Sequence, residues 1–285
     1  MPRNVFYIVL IIGFFLVVIM FFIVIVGRRH SQYDFHVAEN MELFSSQYKE
    51  VQGADANRLS LDIYTNPDFE SKPVIIYVHG GALRTGNKAN DASYLAKSNY
   101  FVSNKYIYVS INYRLSPDVV FPTHIEDVAD AFMYVYENIV NYGGNPDEIY
   151  IMGHSAGAYL VSLLATNEKY LENAGGNLTM IKGVISLDTG AYISILRGQE
   201  EIMPSEPLKR FNAVPGNHVE EDKGIPPFLI LYSDQRQKSA VESVQLGFTS
   251  LLLENAISAA AIECTGCSHA SVNRDIGQIE DKKLK

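Results

Sequence analysis

Only two cysteines occur in the 285 residues, so no disulfide framework holds this chain together and its core must rest on packing. Basic residues are in the minority: 23 Lys and Arg stand against 32 Asp and Glu, a formal net charge of −9. A phosphate-binding surface needs the opposite balance, so no nucleic-acid partner is expected and strongly anionic substrates are disfavoured. Internal repeats and low-complexity tracts are also missing. What remains is a globular composition, 47% hydrophobic and 19% charged, unlike that of disordered chains. The length suits one domain of ordinary size with an appendage, and it can bury a full core.

The appendage is at the start. Residues 5–26 form an uncharged apolar run, about the ~20 residues that cross a bilayer as a helix. Arg3 precedes it and Arg28, Arg29 and His30 follow, which places cations at both headgroup levels. A cleavable signal peptide is the alternative, but its apolar region is shorter, roughly 7–15 residues, and ends in small residues. The expectation is a membrane anchor with its flanks over residues 1–30, with the following domain on the exported side. The balanced flanking charges leave the orientation open, and secretion after cleavage is the alternative. Residues 31–46 are polar with scattered aromatics and read as a spacer. The charged tail, residues 280–285, reads as a solvated end.

Beyond the spacer the hydrophobic period alternates between two values. Residues 59–64 alternate apolar and polar, as in a half-buried strand. Residues 74–78, 106–111, 148–152, 183–187, 228–232 and 258–263 read as further strands, several of them continuous β-branched runs suited to burial on both faces. Residues 127–140, 156–165 and 240–253 carry helical spacing; Val128, Ala131, Phe132, Val135 and Ile139 share one face. Alternating strands and helices predict an α/β fold with a mostly parallel sheet covered on both sides.

Gly153-His154-Ser155-Ala156-Gly157 follows the strand at 148–152 and opens the helix at 156–165. A sharp strand-to-helix turn forces strained angles and close chain approach, so positions flanking the serine must be small. It lifts the hydroxyl clear of the sheet and aims the Ala156 N–H at a developing oxyanion. Taken alone, a five-residue match of this kind is also an ordinary tight turn; its place after a buried strand favours a nucleophile. His79-Gly80-Gly81-Ala82 follows the strand at 74–78. Gly81 and Ala82 are the expected donors beside Ala156, with Gly80 shaping the turn and His79 bracing the loop.

Together these motifs resemble the carboxylesterase branch of the α/β-hydrolases related to hormone-sensitive lipase and kynurenine formamidase. Tyr77 to Ala82 resembles its His-Gly-Gly loop. Asn112-Tyr113-Arg114-Leu115, Phe121-Pro122 and Asp127 resemble its next signature, and Gly143 to Asp147 leads into the serine elbow. The resemblance implies an α/β-hydrolase domain over 47–285 that hydrolyses carboxylic esters, or related amides, without a cofactor. Leu83 stands where many formamidase-like members carry an aromatic, and the chain has no tryptophan, which favours esters over formamides.

In this fold the order is serine, acid, histidine. His269, on a loop beyond the last strand, is the expected base, and the segment after it resembles the one following the family's histidine. Asp234, just past the strand at 228–232, is the expected acid. Glu242 is the fallback, and Asp188 is expected to shape the pocket floor or a turn. His218 falls in residues 188–224, which read as a cap segment from their length, Pro, Gly and mixed charge, with Tyr192 a candidate pocket wall. Cys264 and Cys267 are read as loop thiols, bridged if the compartment is oxidising; no second pair exists to complete a four-cysteine metal site. The expected partners are a small-molecule ester and, through the first helix, a membrane. A catalytically dead binding protein of the same fold and an amidase or arylformamidase are the competing readings.

Overall fold

A computed structural model of the chain describes residues 38–89, 92–195, 198–234 and 238–277. The expected membrane helix at 5–26, residues 31–37 of the spacer and the tail at 280–285 lie outside the described residues. Among those described, no helix is long and apolar enough to cross a membrane.

Eight strands form one sheet: β1 (Glu42–Gln47), β2 (Ser60–Thr65), β3 (Lys72–Val78), β4 (Ile107–Ile111), β5 (Gly144–His154), β6 (Ile181–Leu187), β7 (Phe228–Ser233) and β8 (Ala259–Cys264). Their order across the sheet is β1-β2-β4-β3-β5-β6-β7-β8. β3 to β8 run parallel, whereas β2 is antiparallel to both β1 and β4. The crossovers include α1 (Ala92–Ser103), α2 (Thr123–Asn138), α3 (Ala156–Thr166) and α4 (Lys169–Asn173). Later in the chain come α5 (Pro207–Asn212), α6 (Lys238–Glu254) and α7 (Ser271–Arg274).

The β-branched runs are central strands because both sheet faces are covered. One buried cluster joins Val74, Ile76, Val109 and Ile151 to Phe132 and Leu164 of the helices. The other joins Ile75, Tyr77, Met152 and Leu229 to Phe101 and Val272. Successive residues of β3 therefore serve opposite cores, and each fully buried aliphatic contributes about 1.5–3 kcal/mol. Residues 42–46 depart from the expected spacer: with Gln47 they form β1, which pairs along β2 from Glu42↔Thr65 to Gln47↔Ser60. As an edge strand with five of its six residues exposed, it has no apolar alternation to reveal it. The α1 helix was likewise not anticipated, and α2 begins at Thr123, earlier than the expected 127.

Because β2 is antiparallel to β4, its end at Thr65 lies at the amino edge of the parallel strands. The chain enters there. Asn66 Nδ2–H donates to the Glu39 carbonyl, and Asn40 Nδ2–H to Asp68. The 188–224 excursion lies at the carboxyl edge. Its Ile202 carbonyl accepts the Phe121 N–H, its Ala213 carbonyl accepts the Tyr159 hydroxyl, and its Gln199 accepts from Arg84 Nε. These contacts tie it to the loops after β3 and β4 and to the first turn of α3.

Candidate active site

β5, β6, β7 and β8 are neighbours in the sheet, and their carboxyl ends carry Ser155, Asp188, Ser233 and, beyond a loop, His269. Ser155 joins β5 to α3 with φ 55° and ψ −114°, a strained conformation costing of order 1–3 kcal/mol. Its N–H donates to the Leu187 carbonyl at 2.9 Å, which ties the elbow to the end of β6. Both flanking glycines are required by contact. A Cβ on Gly157 would sit 2.1 Å from the Val78 carbonyl oxygen, and one on Gly153 would sit 2.3 Å from the Gly157 carbonyl oxygen.

The Ser155 hydroxyl donates to His269 Nε2 at 3.0 Å, and His269 Nδ1–H donates to Asp188 Oδ2 at 2.8 Å. Asp188 is fully buried. Its carboxylate also accepts the Ser233 hydroxyl at 2.8 Å and the Ser233 N–H at 3.3 Å. An acceptor fixed at Nδ1 holds the imidazole as the tautomer whose Nε2 lone pair faces the serine, the requirement for drawing off a hydroxyl proton.

Here the structure departs from expectation. Asp234, expected to orient His269, turns its Oδ2 to the Gly266 N–H at 2.7 Å and so pins the loop leading to His269. Asp188, expected to shape the floor or a turn, is the carboxylate at the imidazole. It follows β6 immediately, and its φ of 52° ends the strand where β6 adjoins the serine strand. Both aspartates obey the serine–acid–histidine order; only the sheet order distinguishes them. Ser233 and Asp188 carried no local signal for this pairing.

The loop after β3 lies against the elbow. A Cβ on Gly80 would stand 3.1 Å from Ser155 Cβ. Gly81, Ala82 and Leu83 take positive φ of 112°, 55° and 63°, and the Gly81 carbonyl accepts the Arg84 and Thr85 N–H groups. The N–H groups of Gly81 and Ala82 have no acceptor among the described residues, and that of Ala156, first in α3, has no intrahelical acceptor. His79 braces this loop: Nδ1–H donates to the Gly80 carbonyl at 2.7 Å and the ring stacks on Tyr113 at 4.4 Å. Burial pushes His79 down to about 4, which keeps it neutral.

His218, in the 188–224 segment, hydrogen-bonds Asn167 at the end of α3. Tyr192 is fully buried, with its hydroxyl 2.6 Å from Ser186 Oγ and its ring stacked on Phe248; it is a core residue rather than a pocket wall. Cys264 and Cys267 form a disulfide. A cavity of about 670 Å³, lined by residues including Phe44, Phe69, Lys72 and Tyr142, opens at the amino edge, away from Ser155.

The sheet order, the strained serine after β5 and the histidine beyond β8 define the α/β-hydrolase fold. Solved structures share this fold. Esterase 2 of Thermogutta terrifontis with bound butyrate gives a TM-score of 0.66 at 19% identity, covering 82% of this chain and 86% of that one. Esterase B of Lactobacillus rhamnosis gives 0.64 at 18%, covering 81% and 76%. In sequence, the family model BD-FAE matches residues 61–195. Esterase LipQ of Mycobacterium tuberculosis is 39% identical over 134 residues, 46% of this chain and 31% of that protein. A probable isoprenylcysteine alpha-carbonyl methylesterase of Arabidopsis thaliana, ICMEL2, is 26% identical over 255 residues, 80% of this chain and 58% of that protein. The chain thus spans from about a third to somewhat over half of these relatives' lengths. Over the matched segment the chain is similar to carboxylesterases, and along most of its length it shares the α/β-hydrolase fold.

Proposed function

We propose that this chain hydrolyses carboxylic esters through a serine nucleophile, with Ser155, His269 and Asp188 as its triad. The observation that carries the reading is the continuous run of hydrogen bonds from Ser155 Oγ through the imidazole to the buried Asp188 carboxylate. Ser155 Oγ attacks the acyl carbon as His269 Nε2 takes its proton, and the imidazolium is stabilised by Asp188. The carbonyl oxygen of the ester becomes the oxyanion, received by the N–H groups of Gly81, Ala82 and Ala156, while Gly80 lets the loop approach. His269 then protonates the departing alcohol. Water, deprotonated by the same imidazole, attacks the acyl-enzyme; the carboxylic acid leaves and Ser155 regains its proton. The esterase names of the relatives support esters over amides.

The test is hydrolysis of short p-nitrophenyl esters by the detergent-solubilised chain beside Ser155→Ala. Turnover in the parent and its loss in the variant is the expected result. A folded parent inert towards these esters, towards longer acyl chains and towards N-formyl amides overturns the reading in favour of a binding protein.

We further propose that residues 5–26 anchor the chain in a membrane as a helix. Support comes from their length, lack of charge and cationic flanks. Entry of the chain at the amino edge of the sheet, opposite Ser155, is compatible with a tether that leaves the cap unobstructed. Sedimentation of the full chain with membranes, resistant to carbonate and lost on deletion of residues 1–30, is the expected result; release by carbonate overturns it.

A further inference from the structure

His154, the residue between the glycine and the serine of the elbow, is not consumed by the mechanism above. It ends β5, and its side chain reaches the histidine loop. Its Nε2 lies 2.8 Å from the His269 carbonyl oxygen, and its ring centroid stands 4.6 Å from that of His269. A carbonyl can only accept, so Nε2 carries the proton and donates. The bond joins residues 115 positions apart. It thereby spans from the nucleophile's own strand to the backbone of the base.

From this geometry we infer that His154 is a positioning residue, fixing the His269 backbone so that the imidazole meets both Ser155 Oγ and Asp188. The inference rests on the proposed hydrolase reading.

The other supports of the His269 loop leave this task open. Asp234 holds the loop at Gly266, before His269, and the Ser268 and Ser271 side chains bond each other's backbone N–H across it. None of these bonds is made to His269 itself. The Asp188 bond fixes the ring's Nδ1 but leaves the main chain at His269 without a lateral anchor other than His154 among the described residues. Burial, and the neighbouring His269, hold the His154 imidazole down to about 4, so it remains a neutral donor at working pH and places no second cation beside the imidazolium formed during acyl transfer.

The test compares His154→Gln, which keeps an N–H donor at similar reach, with His154→Met, which is of comparable size and has none. Active-site titration with a fluorophosphonate counts the competent molecules in each preparation, so kcat is read per folded site. Misplacement of a catalytic group by about 1 Å costs on the order of 100-fold. The expected result is a 10- to 100-fold fall in kcat for the Met variant at nearly unchanged KM, on the order of that cost, with most of kcat restored by Gln. Equal kcat in the two variants, or a Met variant within twofold of the parent, overturns the inference. A parent that neither turns over ester nor takes the label at Ser155 would instead indict the hydrolase reading. Melting temperatures of the variants separate loss of fold from loss of position.

Discussion

Asp188 Oδ2 accepts the His269 Nδ1–H at 2.8 Å across 81 residues of chain. The pairing follows from strand adjacency. β6 lies between the serine strand and β7, so a carboxylate at its end is flanked by Ser155 on one side and by Ser233 on the other. The loop after β8 then needs only to fold back over β7 to bring His269 above both.

Asp188→Asn is expected to lower kcat/KM by about 10⁴-fold, because an amide at this position favours the wrong imidazole tautomer. Asp234→Asn keeps an acceptor for the Gly266 N–H and is expected to stay within about tenfold of the parent, the scale of one hydrogen bond. Steady-state kinetics on a single p-nitrophenyl ester compares the two; the reverse ranking would return the acid to Asp234.

Ser233→Ala removes the hydroxyl donor to Asp188 Oδ2 and leaves the weaker backbone donation at 3.3 Å. A hydrogen bond to a charged group is worth about 1.5–3 kcal/mol. A fall of roughly tenfold or more in kcat/KM is expected, and unchanged kinetics would remove Ser233 from the support of the acid.

Acid should weaken the fold before it protonates most carboxylates. Burial holds His79, His124 and His154 each at about 4, below the ordinary 6.5. Between those values the unfolded chain binds protons that the fold rejects, so stability is complete above about pH 6.5 and declines as pH falls towards 4. Each histidine costs on the order of 2 kcal/mol at pH 5 relative to pH 7.5. Urea midpoints across that range measure it, and a flat profile would contradict the neutral, buried state of these rings.

Gly157→Ala places a methyl 2.1 Å from the Val78 carbonyl oxygen. Backbone on both sides leaves no flexible atom to yield, so α3 must shift from β3 and the elbow must open. A loss of about 1–3 kcal/mol is expected from such overpacking, together with loss of activity. Thermal melting and ester turnover read the two effects separately, and retained activity would show that the elbow tolerates displacement.

Where local chemistry speaks, the sequence was sufficient. The β-branched runs of β3 to β7 and the helical spacing in α2 report burial on two faces and on one, because periodicity is set by the backbone itself. Gly153 to Gly157 and His79 to Ala82 are legible since a strained turn and a close approach admit few residue types. β1 was not legible: its residues face solvent, and its strand state is imposed by pairing with β2. The choice between Asp188 and Asp234 was not legible either. Both follow strands and both precede His269, so sequence order cannot separate them. By itself the sequence determined the strand–helix alternation, the serine on its elbow and the histidine beyond the last strand. Only the tertiary structure decided which carboxylate meets that histidine, because strand order and register, set by contacts remote in the chain, bring the end of β6 beside the serine and turn Asp234 to the Gly266 backbone.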